Sequence, residues 1–272
     1  MKNFSMTPRE MIGSMWRNRY LIKKSVQREV SGRYRGSALG ILWSFFNPLF
    51  MLTIYTFVFS VAFKARWPGG SDSKTEFALI LYSGLLVFNL FSECFNRSPG
   101  LILGNVQFVK KVVFPLETLP VITLGSALYH TAINFSVWLL AHVILFGAPH
   151  ATTVLFPVVI FPLLMFILGI SWWLSSIGVY LRDISQFTGI VTTATLFLSP
   201  IFYSADKLPP NIRIILHLNP LSGVIEQTRN VLLWGKLPDL TVLIVQYLCA
   251  SIICYLGFVW FQKTRKGFAD VL

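Results

Sequence analysis

The sequence predicts an all-α integral membrane protein. It is expected to have six transmembrane helices, an N-terminal amphipathic interface helix and two short outer-face helices between helices five and six. Three observations carry this reading. Apolar residues make up 54% of the chain and charged residues 12%, against roughly 25% charged in a soluble domain. Several apolar runs reach the length of about 20 residues that crosses a bilayer. The runs are continuous rather than alternating, which selects helices over a closed barrel as the backbone that satisfies its own hydrogen bonds in lipid.

Residues 1–37 form a cytoplasmic interface segment. Lys2, Arg9, Arg17, Arg19, Lys23, Lys24, Arg28, Arg33 and Arg35 stand there against Glu10 and Glu29. On a helical wheel Met11, Ile12, Met15, Trp16, Ile22 and Val26 gather on one side, with Arg17, Asn18 and Lys24 elsewhere. Arg19 and Lys23 intrude on the apolar side, so their stems must snorkel. A basic helix of this kind lies in the membrane interface and prefers anionic headgroups. The plainer alternative is a solvated helix that only enforces topology. The segment is too polar to supply the apolar core of a cleavable signal peptide. Membrane lipid accounts for the charge and no binding motif accompanies it, so nucleic acid is not expected as a partner.

Residues 38–272 form the membrane domain, with spans at 41–63, 77–95, 119–146, 154–180, 187–203 and 240–261. Pro48, Pro157, Pro162 and Pro200 fall inside or near span ends, where helices kink. Lys and Arg favour the cytoplasmic side of short loops. The N-terminal segment, then Arg97, Lys110 and Lys111, then Arg182, then Lys263, Arg265 and Lys266 collect sixteen of the 23 basic residues on alternate sides of the spans. Both termini are therefore placed inside, and the number of spans is even. Residues 205–239 contain "IRIILHLNPLSGVIEQTRNVLLW". A seventh crossing there would send the basic tail outside and bury Glu226 and Arg229 at several kcal/mol. The apolar pieces are short and split by Asn219 and Pro220. They are read as two short helices on the outer face, dipping into the bilayer as a re-entrant pair, with an ordinary outer loop as the alternative.

Little in the chain suggests bond chemistry. There is no GxxxxGK[ST] and hence no P-loop. His130, His142, His150 and His217 show no metal-ligand spacing, and Cys94, Cys249 and Cys254 form no CxxC pair, so no metal is expected. Glu93 stands alone as a carboxylate well inside an apolar run. A proton relay is one reading; pairing with a nearby polar group, Asn96 or Arg97, is the other. A secondary carrier would need a series of such carboxylates, and a membrane enzyme would need clustered polar groups inside the spans.

One ordered set of motifs is specific. "RYRGSALGILWSFFNPL" (33–49), "QFVKKVVFPLETLP" (107–120), "YLRDI" (180–184), "NP" (219–220) and "EQTR" (226–229) resemble the membrane subunits of type-2 ABC exporters. More narrowly, they resemble permeases that export lipid-linked O antigen polysaccharide, capsule or teichoic acid. The resemblance covers nearly the whole chain. It implies a homodimer in the bacterial inner membrane and two copies of a separate ATPase subunit that binds ATP and Mg, so this chain itself carries no cofactor and catalyses no reaction. A type-2 exporter of a drug or small lipid would share the same topology.

The resemblance also implies site residues. Asn105, Phe108, Lys110 and Lys111 belong to one ATPase-coupling element, and Arg182 and Asp183 lie in the other. A narrow loop absorbs little motion, which suits transmission into the adjoining spans. Topology is the competing explanation, with Arg182 an inside anchor and Asp183 a cap on span five. A polysaccharide channel needs flat apolar faces for sugar rings, and aromatics are 15% of the chain. Trp43, Phe46, Tyr55 and Phe59 in span one and Phe197, Phe202 and Tyr203 in span five are the channel candidates; interface anchoring and lipid packing are the alternatives. Arg33 and Arg35 are the candidates for gripping a lipid pyrophosphate, since a guanidinium binds phosphate in a bidentate fork.

Overall fold

In a computed structural model of the chain, residues 5–33, 35–36, 39–58, 67, 74–110, 114–205, 209, 216 and 219–272 are described. All the regular structure among them is helical. Thr7 starts α1 (Pro8–Arg17) by accepting the Glu10 amide, with Pro8 at the first helical position, where its missing N–H costs nothing. After a break at Asn18, α2 continues over Arg19–Arg33. Met11, Met15, Ile22 and Val26 pack against the core as the wheel predicts. Ile12 and Trp16 do not join them: they are 65% and 70% exposed, beside Tyr20 at 71%. The apolar residues of the interface segment thus divide between the protein and its surroundings. Arg19 lies over the Trp16 ring at 5.0 Å, a cation held on the exposed side.

The helices that follow are α3 (Trp43–Tyr55), α4 (Lys74–Arg97), α5 (Val106–Lys110), α6 (Thr118–Phe146), α7 (Phe156–Tyr180), α8 (Ile184–Leu198), α9 (Pro220–Leu232), α10 (Leu240–Thr264) and the short α11 (Phe268–Val271). Four of the helices, running through α4, α6, α7 and α10, are long and apolar enough to cross a membrane, and two shorter apolar helices cover Trp43–Val58 and Ile184–Leu198. The long four overlap the residues expected for the second, third, fourth and sixth spans. The first expected span is described only as far as Val58, and its remainder, with Phe59, lies outside the described residues. At the fifth expected span the helix covers Ile184–Leu198, beginning three residues before and stopping five residues short of the expected 187–203. Ser199, ahead of Pro200, takes an extended backbone with ψ 148, as the ring of a following proline requires.

Unlike a water-soluble bundle, the molecule is apolar on its surface as well as in its core. Ile144, Val154, Ile190, Leu240 and Leu248 are all 60% exposed or more, a belt that suits hydrocarbon rather than water. α4 runs through the middle, with Leu79, Ile80, Leu81 and Val87 at 1% exposure or less. α7 and α10 approach backbone to backbone through Gly169 and Gly257: a Cβ on either would collide with the other helix's carbonyls. Gly178 meets the Pro99 carbonyl in the same way. Small residues at helix contacts are the general device for close approach in lipid.

Of the two short helices expected between the last two spans, one lies among the described residues. Asn219 caps α9 by accepting the Leu221 amide, and the 13-residue α9 spans about 20 Å at 1.5 Å per residue, too short to cross. The other apolar piece, 212–218, lies outside the described residues except Leu216. α9 buries Leu221, Val224, Ile225, Val231 and Leu232 and leaves Glu226 exposed.

Candidate functional site

A polar cavity of about 430 Å³ runs along α3, α4 and α6. From Tyr82 to Glu93 it follows α4 for about 16 Å. Tyr82 donates to the Asn134 amide oxygen at 3.2 Å, and Tyr55, Ser44, Asn47 and Asn89 add further hydroxyl and amide groups. Trp43 and Pro48 supply apolar surface. At one end Glu93 ties three basic partners together. Arg33 lies 2.7 Å from its carboxylate, His130 at 3.1 Å, and Arg97 at 3.7 Å. Arg97 also pairs with Glu29 of α2. Glu93, expected to stand alone inside an apolar run, is therefore paired, and Arg97 is among its expected neighbours. Asn96 turns away and accepts from Thr192 of α8 at 2.9 Å. Among the described residues no three His, Cys, Asp or Glu side chains are placed to hold a metal. The cavity offers many neutral hydrogen-bonding groups, which is chemistry for holding a polyhydroxylated ligand.

The two expected coupling elements lie at the pole of the bundle that carries both described chain ends. Asn105 donates to the Leu101 carbonyl at 2.8 Å. Phe108 stacks on Phe114 at 4.3 Å, which presses α5 onto the bundle. Lys110 donates to the carbonyl of Leu272. Lys111 lies outside the described residues. Arg182 and Asp183 are both exposed on the turn between α7 and α8. Asp183 occupies the N-cap position without a side-chain capping bond, so the capping explanation for it is not met.

Glu117, at the start of α6, organises this pole. It accepts from Ser14 of α1 at 2.7 Å and from Arg265 at 2.6 Å. Arg265 also donates to the Phe114 carbonyl at 3.1 Å, and Trp172 donates to the Glu117 carbonyl at 3.0 Å. Burial pushes the Arg265 guanidinium down from its ordinary value, with Glu117 opposing the shift. Sequence reading had this carboxylate inside the quoted "FPLETLP" but gave it no role. The available signal was a single acid bracketed by two prolines at the mouth of an apolar run.

The other candidates are dispersed. Trp43 and Tyr55 line the cavity, and Phe46 is 40% exposed. Phe197 packs on Phe202 at 6.1 Å, and Tyr203 donates to the Phe197 carbonyl at 3.1 Å; both Phe202 and Tyr203 lie beyond the end of α8. Arg33 enters the cavity, and Arg35 is exposed. Arg229, on the helix expected at the outer face, is 3% exposed. It donates to the carbonyls of Ile80, Pro200 and Ile201 at 3.3, 2.6 and 2.9 Å, with Trp67 over its guanidinium at 4.3 Å.

The sequence pattern of the ABC-2 type transporters matches residues 20–233. An O-antigen export system permease protein, RfbA, of Klebsiella pneumoniae is 26% identical over 247 residues, covering 90% of this chain and 92% of that protein. RfbA of Myxococcus xanthus is 26% identical over 262 residues, covering 96% and 98%. The polysialic acid transport protein KpsM of Escherichia coli is 27% identical over 217 residues, covering 78% and 81%. The matched stretch takes in both turns at the basic pole, the Glu93 cavity and Arg229.

Proposed function

This chain belongs to the ABC-2 type transporter family, and from that premise we propose that it is the transmembrane subunit of an ATP-driven exporter moving lipid-linked polysaccharide of the O antigen type out of the cytoplasm. It is a multi-pass membrane protein. The observation that carries the substrate is the match to two O-antigen export permeases over 90% and 96% of the chain. The amide and hydroxyl lining of the cavity supports it. A capsule-type polysaccharide is the second reading, favoured by the match to a polysialic acid transport protein.

In this proposal α3 and α8 each complete a crossing with the residues next to them, giving six spans. Residues 1–37 lie on the cytoplasmic face of the bacterial inner membrane, and both termini are cytoplasmic. Two copies form the pore, because one six-span bundle is small for a sugar chain. Two ATPase subunits carry ATP and Mg, and this chain breaks no bond. ATP-driven closure of the ATPases pushes on Asn105, Phe108, Lys110 and Lys111 and on Arg182 and Asp183. The stacked Phe108–Phe114 pair and Glu117 pass that motion to α6 and α7 as rigid bodies. Aromatic faces of α3 and of the α8 end, with Phe59, line the path. A lipid pyrophosphate meeting Arg33 must compete with the Glu93 carboxylate, which leaves exposed Arg35 the readier grip.

Deleting this chain, or the ATPase subunit alone, is expected to abolish surface polysaccharide and leave lipid-linked polymer inside the cell. Sugar analysis of the retained polymer separates the O antigen from the capsule reading. Unchanged surface polymer in both deletions overturns the proposal.

A further inference from the structure

The chain after α10 does not trail away from the bundle. Phe268 of α11 is fully buried. Its ring meets Phe261 at 5.6 Å and Tyr180 at 6.2 Å. Tyr180, the first residue of "YLRDI", donates its hydroxyl to the Thr264 carbonyl at 3.1 Å. A Cβ on Gly267 would run into that same hydroxyl, so the glycine lets the tail lie close under Tyr180. On its other side the tail reaches α5, where Lys110 donates to the carbonyl of Leu272. Arg265, between these two contacts, is bound to Glu117 and to the Phe114 carbonyl. Eight residues at the chain end thus touch α5 and Tyr180, the residue that leads into the α7–α8 turn.

We infer that residues 265–272 form a third part of the ATPase-docking surface and join the two coupling elements into one plate. The inference rests on the coupling role proposed above for residues 105–111 and 182–183. Three features select a cytosolic ATPase subunit with an acidic lip as the occupant. The surface is continuous with both coupling elements. Ala269, Asp270 and Val271 point outward while Phe268 points in, so the tail has one anchored face and one free face. Exposed Lys110, Arg182, Lys263 and Lys266 outnumber exposed Asp183 and Asp270 at this pole, an electropositive rim that complements acid. A plate of this kind also explains why Arg265 is largely buried against Glu117: docking force applied to the tail reaches α1 and α6 through one carboxylate.

Photo-crosslinking in the intact complex tests this. Gln107→p-benzoylphenylalanine probes the coupling segment, Ala269→p-benzoylphenylalanine probes the tail, and Leu237→p-benzoylphenylalanine, 74% exposed at the opposite pole, is the blank. All three sites are exposed, so the probe replaces no packed side chain. ATPase adducts at 107 and 269, at least tenfold above the blank, are the expected result. An adduct at 107 without one at 269 overturns the tail's part in docking and leaves the coupling role standing. Adducts at neither, in a complex where the ATPase still copurifies, overturn the coupling role and this inference with it.

Discussion

The Arg33 guanidinium lies 2.7 Å from the Glu93 carboxylate and 2.7 Å from the His130 ring, so one residue from the interface segment is tied to two separate helices. The Arg33 side chain is 49% exposed and that of Glu93 16%. Solvent screens the outer half of the pair, which keeps its contribution at about 1 kcal/mol. Its value is positional: the end of α2 is fixed over the mouth of the cavity.

Glu93→Gln keeps the shape and removes the charge. A loss of about 1 kcal/mol is expected, a fall of roughly 2–4 °C in the thermal midpoint of the purified protein. Arg33→Met is expected to cost a similar amount, and the double variant less than the sum of the two. Strict additivity in that cycle would show that the two groups do not interact in the membrane.

Glu117 and Arg265 make a different case. Their side chains are only 10% and 13% exposed, and Glu117 also serves Ser14. Breaking a buried pair from one side leaves the other charge uncompensated, at about 3–5 kcal/mol. Glu117→Ala and Arg265→Ala are each expected to cut the amount of folded protein in the membrane severely. Ser14→Ala removes one hydrogen bond and is expected to cost about 1 kcal/mol. Trp172 also donates to the Glu117 carbonyl, so the start of α6 stays tied to α7 in these variants. An Arg265→Ala protein with the unfolding midpoint of the parent would rule out the pair as a brace.

The glycines separate contact from open space. Gly178→Ala puts a methyl group against the Pro99 backbone, and Gly169→Ala puts one against Ile253 and Cys254. Backbone cannot move aside as a side chain can, so each is expected to cost about 1–3 kcal/mol. Nothing lies within 4 Å of a Cβ at Gly189, which sits inside α8. Gly189→Ala is expected to be neutral or to stabilise by up to about 1 kcal/mol. Thermal midpoints of the three proteins decide the matter, and a destabilised Gly189→Ala beside an unaffected Gly178→Ala would reverse the helix packing described for α7.

The same residues show what a linear sequence reveals. The long spans are legible because hydrocarbon demands an unbroken apolar run and α4, α6, α7 and α10 each supply one. The end of α8 is not legible because Ile201, Phe202 and Tyr203 continue the apolar run past Pro200, and hydropathy does not register a backbone that has stopped being helical. Arg97 was visible as a partner of Glu93 because it is one helical turn away. Arg33 and His130 were not, at separations of 60 and 37 residues. Glu117 escaped for the same reason: its partners Ser14 and Arg265 are 103 and 148 residues distant. Pairing across the bundle is decided by helix order and crossing, which composition and spacing do not encode.

Arg229 gives the most demanding prediction. Its guanidinium fork holds the chain just after α8 against the start of α4 by donating to Pro200, Ile201 and Ile80. The Ile80 carbonyl also accepts the Ser83 hydroxyl at 2.7 Å, so it keeps a partner when Arg229 is removed. The Pro200 and Ile201 carbonyls lose the donor they have among the described residues, and each buried acceptor left open costs about 1–3 kcal/mol. Arg229→Met, of similar length, is therefore expected to lose at least about 2 kcal/mol despite filling the space. Arg229→Lys keeps a charge but not the planar fork that serves three carbonyls together, so it is expected to recover only part of the loss. Trp67→Leu removes the ring over the guanidinium and is expected to cost up to about 2 kcal/mol. Limited proteolysis after Ser199 reads the same event locally, since a released segment is cut faster than the folded one. If Arg229→Met is as stable and as protease-resistant as the parent, the carbonyls are not what the guanidinium holds.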